Sequence, residues 1–256
     1  MLGGETMPRI LMQVIRFCIN SDDKPLKKLT MLYWEVVPKY QDLTSDELLQ
    51  QAAGNKVPRK LLPEMILVCN ALMNDLNHAN EYVRGSMLRF LCKVKDEEIL
   101  GPLIPSIKSC LTHRHSYVRK SAALCIFHIS KLTTADHLLP DGPELIAQFL
   151  ASETDMAARR NAFLMLINEN EEFAFEFLGQ HIQEGITQFG DGFCLLVLEL
   201  TRRVCRRDPN QKSRFVRVLF QRLSSNSAAV SYEAAWTLVS LSSAPTAVRA
   251  AAVTSA

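Results

Sequence analysis

Apolar residues recur at three- and four-residue spacing through most of the chain, which predicts helices rather than strands. One set is Val83, Met87, Leu88 and Leu91, and another is Val118, Ala122, Cys125, Ile126 and Ile129. Earlier stretches with the same period run over 62–76, 104–111 and 145–150. The apolar sets therefore come in pairs, each a helix, a short turn and a second helix.

A short polar phrase opens the second helix of each pair. It reads Asn80-Glu81-Tyr82-Val83-Arg84, then His115-Ser116-Tyr117-Val118-Arg119, then Asp155-Met156-Ala157-Ala158-Arg159. Weaker copies stand at Asp23–Lys27 and Ser227–Ser231. The three arginines are 35 and then 40 residues apart, a period that marks a helical repeat array. The first residue of the phrase is Asp23, Asn80, His115, Asp155 or Ser227, and four of these five types are good N-caps. Ala122, Ala162 and Ala234 occupy one equivalent point, where a small side chain lets helices approach closely.

About six units fit: 7–38, 60–94, 102–131, 142–169, 171–206 and 210–243. Pro38, Pro58, Pro102, Pro140, Pro143, Pro209 and Pro245 fall between or at the starts of the helices, where proline is tolerated. The unit at 171–206 is degenerate, with Gly185, Gly190 and Gly192 loosening its turn. Residues 40–59 are polar and are expected to form an exposed loop with one short helix. The ends, close to one helix at 10–19 and inside another at 245–256, are expected to be cuts through a longer protein. The fold class is thus all-α, a solenoid whose long surface suits docking better than catalysis.

Composition agrees. Of 256 residues, 48% are hydrophobic and 7% aromatic, with only 10 glycines, which disfavours disorder and all-β folds. A net charge of +2 gives no global reason for a nucleic-acid or acidic-membrane partner. Cys18, Cys69, Cys92, Cys110, Cys125, Cys194 and Cys205 lie in apolar stretches without a C-x-x-C pair, as reduced core thiols of a cytosolic protein do. The apolar run 193–197 meets Glu199, Arg202 and Arg203 well before ~20 residues, too short to span a bilayer.

Catalytic signatures are missing. The sequence has no phosphate-binding glycine loop, no dinucleotide fingerprint and no nucleophile elbow. His113 and His115 could share a turn, but no Cys or carboxylate cluster adjoins them, so no metal or cofactor is expected. No His-Glu dipeptide occurs, which removes the simplest iron-chelating helical repeat. Arg84, Arg119 and Arg159 are expected to form a structural ladder, each pairing with an acidic or capping side chain of the neighbouring unit. Arg202, Arg203, Arg206, Arg207, Lys212, Arg214 and Arg217 place seven basic residues in sixteen. They form either a solvated face balanced by Glu199 and Asp208 or a contact for an anionic lipid or acidic protein surface. Nucleic acid fits less well, because no aromatic residues interleave with the arginines. Trp34 and Trp236 stand at core-compatible helical positions and are expected to pack inside.

Longer strings carry a resemblance. These are 64–69 (EMILVC), 83–93 (VRGSMLRFLCK), 113–119 (HRHSYVR), 160–163 (RNAF), 188–191 (QFGD), 232–235 (YEAA) and 241–247 (LSSAPTA). In these the chain resembles the coatomer beta-subunit family, over about residues 11–252. The resemblance implies a right-handed α-solenoid of HEAT/armadillo-like hairpins, the adaptin N-terminal trunk. It also implies a non-enzymatic subunit of the COPI coat, cytosolic and peripheral on Golgi membranes, in retrograde and intra-Golgi transport. Implied partners are the other coatomer subunits, delta especially, and an Arf-family GTPase in its GTP state. The 40–59 stretch exceeds the family's usual link, and no short family motif assigns GTPase-contact residues here. The alternatives are a large subunit of a clathrin-type adaptor and a nuclear-transport or nucleic-acid-binding repeat protein using the arginine cluster.

Overall fold

The computed structural model describes residues 7–21, 23–43, 52, 60–132, 135–181 and 190–254. They are helical, as the periodicity predicts, and no strand occurs among them beyond one antiparallel bridge between Tyr40 and Leu61. Of the expected loop at 40–59, all but 40–43 and 52 lies outside the described residues. The chain divides into two compact units, Met1–Pro140 and Asp141–Ala256.

The first unit holds α1 (Leu11–Cys18), α2 (Lys24–Val36), α3 (Met65–Leu76), α4 (Glu81–Leu91), α5 (Ile104–Ser109) and α6 (Ser116–Ser130). Pro25 and Pro105 sit in the first turns of α2 and α5, where a missing N–H breaks no helical bond. α3 buries Met65, Val68, Leu72 and Leu76, a stripe at three- and four-residue steps. α6 is enclosed further round: Val118, Ala122, Cys125 and Ile126 are all inaccessible to solvent. Full burial of an aliphatic side chain such as Leu88 contributes about 1.5–3 kcal/mol.

The second unit holds α7 (Gly142–Ser152), α8 (Met156–Glu169), α9 (Glu171–His181), α10 (Asp191–Arg207), α11 (Lys212–Leu223), α12 (Ala228–Leu241) and α13 (Pro245–Thr254). Its core is built on Phe163, stacked on Phe193 at 4.5 Å between ring centroids, with Phe177 edge-on to Phe193 at 6.2 Å. Gly190 precedes α10 with φ 76° and ψ 164°, a conformation essentially closed to residues with a β-carbon. Ala162 and Ala234 are fully buried, as Ala122 is in the first unit.

One packing expectation is overturned. Trp34 is buried, edge-on to Tyr33, whereas Trp236 is 53% exposed. α12 carries two apolar stripes, and the core takes Val230, Ala234, Leu238 and Leu241 instead. Tyr232, Trp236 and Val239 share the other stripe and stay open to solvent.

Candidate functional site

The turn before each of five second helices carries a side-chain acceptor, and in three of them a second acceptor follows two residues later. At the first, His78 Nδ1 accepts the Asn80 N–H at 2.9 Å, and His113 Nδ1 accepts the His115 N–H at 3.0 Å. Glu153 Oε1 accepts the Thr154 and Asp155 N–H groups, both at 2.8 Å. Ser21 and Ser225 do the same through Oγ for Asp23 and Ser227, at 3.2 and 3.3 Å. The second acceptor caps the helix itself. Asn80 Oδ1 takes the Tyr82 N–H, His115 Nδ1 that of Tyr117 and Asp155 Oδ1 that of Ala158. Helix N-termini leave backbone donors unmet, and these side chains meet them.

The repeated arginine closes the same turn six residues on. Arg84 donates to the carbonyls of His78 and Asn77, Arg119 to those of His113 and Arg114, and Arg159 to that of Glu153. These acceptors are main-chain oxygens of the arginine's own turn, where the sequence suggested an acidic or capping side chain of the neighbouring unit. That kind of pairing appears at the weak first copy, where Lys27 Nζ lies 2.7 Å from Asp75 Oδ1 of α3. A charge-assisted hydrogen bond to a carbonyl contributes about 1.5–3 kcal/mol.

In the first unit, α4 and α6 pack together and bring two turns side by side. Gly85 makes this possible, since a β-carbon there would stand 2.1 Å from Tyr117 Cε1. The exposed Tyr82 ring lies 5.7 Å from Tyr117 and edge-on to His115 at 5.8 Å. His115 Nε2 is 3.9 Å from Glu81 Oε1. A main-chain hydrogen bond holds the Glu81 carboxyl below its usual pKa, and His115, Arg114 and His113 pull the same way against its burial. Burial lowers the His113 pKa, and the Arg84 guanidinium lowers it further. The result is an edge of aromatic and imidazole groups formed by Tyr82, His115 and Tyr117.

The basic cluster resolves into unequal parts. Arg202 bonds Glu199 and Glu233, each at 2.6 Å, and Arg203 bonds Glu199 at 2.9 Å. Arg207 reaches Glu171 of α9 at 3.0 Å, and Lys212 Nζ donates to the Leu241 carbonyl at 2.8 Å. These four residues brace the second unit. Arg206 and Arg217 are exposed.

No group of three or more His, Cys, Asp or Glu able to hold a metal occurs among the described residues. No helix among them is long and apolar enough to cross a membrane. All seven cysteines are free thiols, four of them buried. The Cys92 thiol donates to the Leu88 carbonyl at 3.3 Å, while the neighbouring Cys92 sulfur and burial raise the Cys125 pKa.

The first acceptor of each turn escaped the sequence reading, which began two residues later. Aligning the copies on the arginine position exposes it as Ser21, His78, His113, Glu153 or Ser225, each six residues before Lys27, Arg84, Arg119, Arg159 or Ser231. Chemical class, not identity, is what repeats.

The family model for the adaptin N terminal region matches residues 1–255. Coatomer subunit beta of Sus scrofa is 47% identical over 98% of this chain, that of Drosophila melanogaster 48% over 98%, and that of Dictyostelium discoideum 47% over 98%. The chain spans about a quarter of each, 24%, 24% and 25% of their lengths. An all-α repeat fold and a match along nearly every residue lead to one conclusion: the chain belongs to the adaptin N-terminal family.

Proposed function

We propose that the chain is trunk from a coatomer-type coat subunit, a non-enzymatic scaffold of the COPI coat. The observation that carries this is the 47% identity to coatomer subunit beta across 98% of the chain. The mechanism is geometric. Capped turns closed by Arg84, Arg119 and Arg159 fix three of the second helices, and stacked helices hold partners at set spacing. The other coatomer subunits, delta especially, are the assembly partners. An Arf-family GTPase in its GTP state brings the coat to the cytoplasmic side of Golgi membranes, for Golgi-to-ER retrograde and intra-Golgi transport. GTP-ordered switch segments supply the nucleotide dependence.

The test is capture from cytosol on beads carrying an Arf-family GTPase, loaded with GDP or with a non-hydrolysable GTP analogue. GTP-dependent retention together with delta coatomer is the expected result. Equal retention by both nucleotide forms, or recovery of clathrin adaptor chains in place of delta, overturns the proposal.

A further inference from the structure

Two of the five turns are closed by imidazole where the others use a hydroxyl or a carboxylate. His78 and His113 each receive a main-chain N–H at Nδ1, and His115 receives a third. An imidazole nitrogen accepts only while it carries no proton. The matching acceptors elsewhere are the oxygens of Ser21, Glu153, Asp155 and Ser225, which keep acceptor capacity whether or not the group carries a proton.

We propose that the paired turns at 78–84 and 113–119 form a proton-sensitive element, which loosens on mild acidification while the other turns hold. His115 gives the element a second state. Its Nδ1 caps α6 while neutral, and its Nε2 stands 3.9 Å from Glu81 of α4. Protonation therefore exchanges a cap bond within α6 for a charge pair reaching α4. The groups facing these imidazoles are Glu81 and Arg84 of α4, Arg114 in the turn, and the histidines themselves. Cys110, in the turn before, is held by Arg84 as well.

The sign follows from His113. Burial and then Arg84 lower its pKa in the folded chain, so the folded state favours the neutral ring. Its contribution is fully present above the ordinary imidazole value of 6.5 and is lost as pH falls below that value through the folded one. The Arg84 and Arg119 forks share these turns, so both second helices loosen at their N-terminal ends together. The consequence is an acid-labile edge where Tyr82, His115 and Tyr117 meet.

The experiment is amide hydrogen exchange by NMR on the chain at pH 7.5 and 5.0, expressed as protection factors. Imidazole nitrogen shifts report the ring protonation directly. The Asn80, His115 and Tyr117 amides are expected to lose protection about fivefold at pH 5.0, the equivalent of roughly one net hydrogen bond. The Asp23, Asp155 and Ser227 amides keep theirs to within about twofold, since a hydroxyl or carboxyl oxygen can still accept when the group carries a proton. His113→Glu copies the third turn and is expected to make the His115 amide insensitive to pH. His113→Asn, an acceptor without charge, gives the same answer if the carboxylate variant misfolds. A uniform loss across all five turns, or a persistent loss at His115 in either variant, overturns the proposal.

Discussion

Tyr117 covers Gly85 so closely that no side chain fits between them. A β-carbon on Gly85 would stand 2.1 Å from Tyr117 Cε1 and 2.5 Å from Cδ1. Glycine inside a helix ordinarily costs about 1 kcal/mol against alanine, so this one is retained against local preference. Gly85→Ala is expected to destabilise the chain by about 1–2 kcal/mol, because overpacking outweighs the propensity gain. In a Tyr117→Ala background the same change is expected to stabilise. Urea denaturation of the four chains of that cycle measures the reversal.

Arg84 and Arg119 each grip their own turn through two carbonyls, and Arg159 grips its turn through that of Glu153. Arg84→Met and Arg119→Met each remove two bonds to carbonyls and are expected to cost about 2–3 kcal/mol. Lysine keeps the charge but cannot present two parallel donors, so Arg84→Lys is expected to recover less than half of the loss. Thermal melts read both effects. Recovery of full stability by lysine would show that charge alone suffices.

Within the basic cluster, position decides the energy. Burial opposes the Arg202 charge, yet its bonds to Glu199 and Glu233 outweigh that cost and raise its pKa. Burial likewise works against the Glu199 carboxylate, while Arg202 and Arg203 bring its pKa below the usual value. Arg202→Ala is expected to cost about 1–3 kcal/mol, and Arg206→Ala less than about 0.5. A lowered carboxylate pKa gives stability that is present above the ordinary value of 4.5 and lost as pH falls through the folded value. The gap between wild type and Arg202→Ala is therefore expected to shrink below that pH. Denaturation series at pH 7 and at pH 3.5 check it.

The helices were legible because an apolar stripe at helical period needs only local sequence. Three features were not, each for a physical reason. The acceptor at 21, 78, 113, 153 and 225 is a hydroxyl, an imidazole or a carboxylate, so no residue identity recurs to mark it. The brace on α10 joins Arg207 to Glu171 and Arg202 to Glu233, partners far apart in sequence that only packing brings together. The arginines of the turns reach main-chain oxygens, which every residue has and no sequence pattern advertises. Periodicity also fails on α12, where two stripes are apolar and either could face inward.

That ambiguity on α12 has an optical consequence. Trp34 is 4% exposed and Trp236 is 53% exposed, so the two indoles sit in different solvents. Native emission is therefore a sum of a short-wavelength and a long-wavelength band. Trp236→Phe is expected to leave the blue component alone, and Trp34→Phe the red one. Acrylamide is expected to quench the Trp34→Phe variant several times more strongly than the Trp236→Phe variant. Trp34→Phe removes packed atoms from the core and is expected to cost about 1–3 kcal/mol. Trp236→Phe touches a solvent-facing stripe and is expected to change stability by less than about 0.5 kcal/mol. Equal quenching of the two variants would place Trp236 in the core after all.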